Sequence, residues 1–297
     1  MWARVQLRGS SRGMAPATRP ATAASAAASG PCRLLALSDD EVSVVAHELC
    51  DPLRPLLAVN LSSTAKGLRT AMQPALAELR LQRQAAEAFA ALWGKGVAWM
   101  RDTKALRFGH YSDRPLSLAH WGTLSHLVGC RSLPRLERLH IQGADCGDEG
   151  AALLAVGLRR GGLPSLFFLS FNGVQLGDQG AAALATALTK RALPALEALD
   201  LEGNQLGDAG LIALAPALRR LVKLQALFLE HNQIGDRGVA SLLAKPLEGV
   251  LPSLSTLSLH DNPASLEAQV AVRASAKYGV YSHHRASARE GVYYGAR

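Results

Sequence analysis

The chain has 297 residues, 48% hydrophobic and 19% charged, with a formal net charge of +8. Residues 1–38 carry +5, residues 273–297 carry +4, and the stretch between them is −1. The basicity therefore belongs to two tails, which argues against a body that binds nucleic acid. No apolar run approaches the roughly 18 residues of a spanning helix. The four cysteines, 32, 50, 130 and 146, form no C-x-x-C pair, which points to a reducing compartment and not to a disulfide framework.

Residues 1–33 read as a disordered or targeting extension. Up to residue 31 the chain is rich in Ala, Ser and Arg, with Pro16, Pro20 and Pro31 and no acid. Trp2–Arg8 matches a short basic amphipathic helix, the composition of an organelle transit segment. The plainer alternative is an unstructured extension with Met14 as the start.

Residues 34–80 read as a small unit of three helices. Ser38-Asp-Asp-Glu41 has the S-x-x-E spacing of a capping box, ahead of an apolar face at Val42, Val45 and Leu49. Asp51-Pro52 breaks that helix. Leu53, Leu56, Leu57 and Val59 begin a second, and Leu68, Met72, Leu76 and Leu79 mark a third. The order Leu37-Ser-Asp-Asp-Glu-Val42, Leu49, Leu53–Val59 and Ser62–Leu68 resembles an F-box. Ser38 stands where that motif usually has Pro, and no Trp follows Leu68 at the family's spacing. The resemblance implies docking on the Skp-type adaptor of a cullin ubiquitin ligase, with Leu37, Asp39, Val42, Leu53 and Leu56 touching the adaptor. The simpler reading is that these helices only cap a repeat array.

Residues 81–132 read as a helical linker and a degenerate first repeat. Leu106 and Phe108 would be its strand, and Leu118, Trp121, Leu124 and Leu127 its helix. From Leu133 the chain restarts one sentence five times, at Leu133, Leu163, Leu193, Leu221 and Leu251, with spacings of 30, 30, 28 and 30 residues. In the third copy Leu196, Leu199 and Leu201 follow L-x-x-L-x-L, and the last two point to one side of a short strand. Asn204 and Leu206 turn the chain inward. Asp208 is placed to cap the following helix, and Gly210 leaves room for close packing. Leu211, Leu214 and Leu218 then mark one helix face. Asp148, Asp178 and Asp236 repeat the Asp position, Gly150, Gly180 and Gly238 the Gly, and Asn232 and Asn262 the Asn. Ala144 and Val174 interrupt the Asn series, so the first two copies should be less well tied there. Cys146 fills the slot of Leu176, Leu206 and Ile234, which makes it a core thiol.

One strand and one helix cannot bury their own apolar face, but stacked units can. The pattern over residues 133–275 resembles the leucine-rich repeat family, in its ribonuclease-inhibitor-like subclass. The resemblance implies an α/β solenoid, a horseshoe with parallel strands on the concave face and helices on the convex face. The basic tail, residues 276–297, follows it.

The strand residues that alternate with buried leucines should face the concave surface. Arg138, His140, Gln142, Phe168, Ser170, Asn172, Asp200, Glu202, Phe228, Glu230, Ser258 and His260 are the candidate partner-binding residues. Arg138 and His140 make a basic end, and Asp200, Glu202 and Glu230 an acidic centre. Phe168 and Phe228 stand at positions that should face solvent, and read either as interface anchors, whose truncation weakens a partner and spares stability, or as rings shielded by their neighbours, whose truncation costs stability. Five strands about 4.8 Å apart span roughly 19 Å, which suits a protein or peptide.

No catalytic constellation is present, and no cofactor or metal is expected. His283-His284 lie in a basic tail without a nearby Cys or carboxylate, and structural zinc takes four ligands. Gly94-Lys-Gly96 lacks the spacing of a phosphate loop. Asn60-Leu-Ser62 has the form of a glycosylation acceptor but follows no secretory signal. The sequence reading is a non-catalytic binding scaffold, an F-box and leucine-rich-repeat subunit that recruits ligase substrates. It is monomeric outside its complex, and cytoplasmic or nuclear. Its alternatives are a GTPase activator resembling the Ran activators, a generic repeat binding module, and organelle import through the first 31 residues.

Overall fold

The computed structural model describes residues 73–109, 117–143, 146–160, 163–188, 193–243 and 253–275. The adaptor-contact set Leu37, Asp39, Val42, Leu53 and Leu56 lies outside the described residues, as do both tails. A helix α1, Gln73–Ala91, and a short α2, Val97–Asp102, lead into alternating strands and helices. These are β1 (Ala105–Gly109), α3 (Leu118–Gly129), β2 (Arg138–Gln142), α4 (Gly147–Leu158), β3 (Phe168–Asn172) and α5 (Asp178–Leu188). They continue with β4 (Ala198–Asp200), α6 (Asp208–Leu218), β5 (Ala226–Phe228), α7 (Asp236–Leu243), β6 (Thr256–Ser258) and α8 (Leu266–Ser275).

The strands form one parallel sheet in the order β1-β2-β3-β4-β5-β6. Each strand pairs with its counterpart one repeat on, Leu139 with Leu169, Leu169 with Leu199, Leu199 with Leu227 and Leu227 with Leu257. This is an open solenoid sheet, and strand-to-strand order equals chain order because each crossover is one helix. β1 pairs with β2 in the same register, so the strand at Leu106 and Phe108 opens the sheet.

Period-2 alternation sends Leu139, Ile141, Leu169, Phe171, Leu199, Leu227 and Leu257 to the helix side, all at most 1% exposed. There they meet Leu154, Leu184, Leu188, Leu214 and Leu218 from the helices, and Cys146 sits among them at 3% exposed. Burial pushes the Cys146 thiol up to about 12, with the Asp148 carboxylate adding to it, so this is an inert core thiol. α1 covers the first-strand end. Its Leu76, Leu79, Ala86, Phe89 and Ala90 are buried, and the Phe89 ring lies 5.7 Å from Phe108. The unit boundary drawn at residue 80 falls inside this helix, which runs from Gln73 to Ala91.

The repeated Asp corrects an expectation. Asp178 does not cap its own helix. It sits in the first turn of α5, and its Oδ1 accepts from the amides of Gly207 and Gly210 in the next repeat, each at 2.8 Å. Asp208 does the same for Gly235 and Gly238 at 2.7 and 2.8 Å. Asp148 accepts from Gly177 at 2.7 Å, and Asp236 from Ser265 at 2.6 Å. Each carboxylate thus serves the N-terminus of the following helix, whose free amides and dipole favour a negative charge. Gly210 is required by this lock, since a Cβ there would lie 2.5 Å from Asp178 Oδ1.

The Asn ladder is also an inter-repeat device. Asn204 Oδ1 accepts from the Val174 and Leu176 amides at 3.1 and 3.0 Å, and its Nδ2 donates to the Leu201 carbonyl at 2.9 Å. Asn232 and Asn262 accept from Leu206 and Ile234 at 3.1 and 3.0 Å. Val174 itself offers no such side chain, yet its own amide is held by Asn204 of the next copy. Ala144 lies outside the described residues.

Candidate functional site

The sheet face turned away from the helices carries three rows, set by the strand register. The first is Arg138, Phe168, Ala198, Ala226 and Thr256. The second is Arg107, His140, Ser170, Asp200, Phe228 and Ser258. The third continues beyond the strand ends, with Gln142 paired to Asn172 and then Glu202, Glu230 and His260 at the repeat spacing. All twelve concave residues read from the repeat pattern therefore share one face.

Their exposure differs from the sequence expectation. Phe168 and Phe228 are 0% and 4% exposed, so they are not surface anchors. They form a second, small apolar cluster with Ala198 and Ala226. His140 stacks on Phe168 with centroids 4.6 Å apart. Ser170 and Asp200 are buried too, at 1% and 0%. Ser170 Oγ donates to Asp200 Oδ2 at 2.8 Å, and the Glu202 amide donates to Asp200 Oδ1 at 3.0 Å. Asp200 thus organises the sheet from within. Arg138, Gln142, Asn172, Glu202, Ser258 and His260 remain partly exposed. Asn172 Nδ2 donates to Glu202 Oε2 at 3.1 Å and holds that carboxylate at the rim.

The charge on this face is graded. Arg107 and Arg138 stand at the first-strand end, and the carboxylates of Asp200, Glu202 and Glu230 lie at the centre. Burial lowers His140 to about 4, with Arg107 and Arg138 adding to the shift, so its ring is neutral at pH 7. Burial also raises the Glu230 carboxyl to about 7, with Glu202 and Asp200 reinforcing it. Glu230 Oε2 is buried with no hydrogen-bond partner among the described residues. The centre therefore carries less negative charge than three carboxylates imply.

Arg107 was missed in the sequence reading, which took the face from five copies only. Its signal was present, because Leu106 and Phe108 point inward and the residue between them must point out.

Residues 193–215 and 221–243 match the family model described as Leucine Rich repeat. With the six-stranded parallel sheet, these matches support a leucine-rich repeat protein. No curated protein matches the chain. Among solved structures, "Leiomodin-1 Actin-Binding Site 2 (ABS2)" is similar at 15% identity and a TM-score of 0.37, over 46% of this chain and 82% of that one.

Proposed function

We propose that this chain is a non-catalytic scaffold that holds a protein partner against its concave sheet face. One observation carries the reading: partly or fully exposed polar side chains from Arg107 to His260 lie on one face of a six-stranded sheet. Leucine-rich repeats are generally interaction scaffolds and not enzymes. A sheet this wide, with a basic end and an acidic rim, fits a macromolecule better than a small ligand. The contact set is narrower than the alternation pattern implies. Arg107, Arg138, Gln142, Asn172, Glu202, Ser258 and His260 can touch a partner, and the buried Phe168, Ser170, Asp200 and Phe228 support them. Among the described residues no helix is long and apolar enough to cross a membrane.

A photo-crosslinking side chain at Asn172 tests the face, with one at Ile212, 45% exposed on α6, as the comparison. The reading expects the partner to be captured from Asn172 and not from Ile212. Capture from Ile212 alone would move the interface to the helices.

The finer reading is recruitment of substrates to a cullin-type ubiquitin ligase. It rests on the F-box resemblance of residues 34–80 and on its place ahead of the repeats. Calorimetry of the full chain with a Skp-type adaptor should give micromolar or tighter binding that Leu53→Asp abolishes. Absence of binding would leave residues 34–80 as a cap on the solenoid.

A further inference from the structure

At the end of the sheet, His231 and Asp261, outside the rows just described, converge on His260 of the third row. We propose that His231, His260 and Asp261 form a site for a divalent transition ion of the zinc type, bridging the repeats of β5 and β6.

The convergence follows from the repeat. β5 pairs with β6 so that Phe228 faces Ser258, and the same register three residues on sets His231 beside Asp261. The His231 amide donates to the His260 carbonyl at 3.2 Å and keeps the two turns together. His231 Nδ1 lies 3.5 Å from Asp261 Oδ2, and His260 Nε2 lies 3.7 Å from the same oxygen. One ligand atom from each residue falls within 4.8 Å of the others. Ligands about 2.0–2.1 Å from a tetrahedral zinc are roughly 3.3–3.5 Å apart, so two sides already stand at or within a few tenths of an ångström of that spacing and the third lies within 4.8 Å.

A second observation singles out these residues. The slot that holds His231 and Asp261 is glycine in the earlier copies, Gly143, Gly173 and Gly203, with φ of 57°, 61° and 67°. His231 and Asp261 keep that left-handed backbone, at 53° and 54°. Glycine reaches this region without strain, and Asp and His are among the few other residues that enter it, at some cost. Two adjacent repeats therefore forgo the favoured residue and place an imidazole and a carboxylate side by side, a pattern associated with functional sites.

The chemistry is complete for a weak, open site. Ser258 Oγ lies 2.9 Å from His260 Nδ1, the outer-shell contact that fixes a ligating histidine. With Nδ1 protonated and donating to Ser258, the lone pair of Nε2 is directed towards Asp261. Two imidazoles and one carboxylate suit zinc, whereas magnesium and calcium take oxygen ligands. His231 and Asp261 are exposed and His260 partly so, leaving the remaining coordination to water.

Calorimetry of the metal-free full chain with zinc chloride tests the site. One ion should bind per chain with micromolar affinity, and magnesium should give no heat. His231→Gly and Asp261→Gly restore the residue used by the other repeats, so both variants fold at least as well as the wild type. Each should lower zinc affinity at least tenfold, and Ser258→Ala about tenfold. A variant with His283→Ala and His284→Ala should bind like the wild type. The proposal fails if the wild type does not bind zinc below about 100 μM, if the glycine variants keep its affinity, or if the tail variant loses it.

Discussion

At the residue scale, the carboxylate of Asp178 holds two amides of the next repeat, and Gly210 is the position that lets it approach. Removing either partner should loosen one joint of the solenoid. Gly210→Ala forces a Cβ against both Asp178 Oδ1 and Leu206 Cδ1, at 2.5 and 2.6 Å. Overpacking of this kind costs about 1–3 kcal/mol. Asp178→Ala leaves two amides without their acceptor but also clears the space, so adding it to Gly210→Ala should cost less than the two separate losses together. Denaturant unfolding of the four proteins reads this coupling, and strict additivity would contradict the lock.

Two other residues make opposite demands on pH. Glu230 rises from 4.5 to about 7 on folding. Its folded form holds a proton that the unfolded form releases, so the stability it contributes is whole below 4.5 and is lost as pH rises through 7. His140 falls from 6.5 to about 4, so its contribution is whole above 6.5 and is lost as pH falls through 4. The windows overlap and the slopes offset each other in the wild type. Glu230→Gln should make stability rise more steeply with pH between 4.5 and 7, and His140→Gln should make it fall relative to the wild type. Denaturant unfolding at a series of pH values checks both signs, and unchanged slopes would contradict the burial of these groups.

At the element scale, strands and helices were legible because leucines at period 2 and at three-to-four spacing admit few alternatives. The register was legible too, since copies of nearly equal length stack strand on strand. Three features were not. The Asp cap was assigned to its own helix because a one-repeat pattern cannot show which neighbour a carboxylate faces. The unit boundary at residue 80 was drawn on sequence spacing, whereas α1 continues across it from Gln73 to Ala91. Phe168 and Phe228 were placed correctly on the sheet face and wrongly in solvent. Alternation tells a side chain's direction but not what lies beside it, and here the rings pack in one buried cluster with Ala198 and Ala226. Truncating these rings would open a cavity, so the expectation that stability is spared no longer holds.

At the scale of the whole molecule, the sheet face gathers charge that the linear sequence spreads over some 150 residues, from Arg107 to His260. A near-neutral body can thus present a graded surface, and on the proposed function a protein partner would read that gradient strand by strand. That these residues share one sheet face was legible in the sequence, and their differing exposure was not.

The most direct test of this account is capture of the chain's protein partner by the wild type and by two charge variants. Arg138→Glu with Glu202→Lys reverses one charge at the basic end and one at the acidic centre of the sheet face. Val156→Glu with Ile212→Glu alters exposed helix positions instead. The account predicts that the first variant loses the partner while its melting temperature stays within a few degrees of the wild type, and that the second retains it. Retention by the first variant and loss by the second would contradict the concave face as the binding surface.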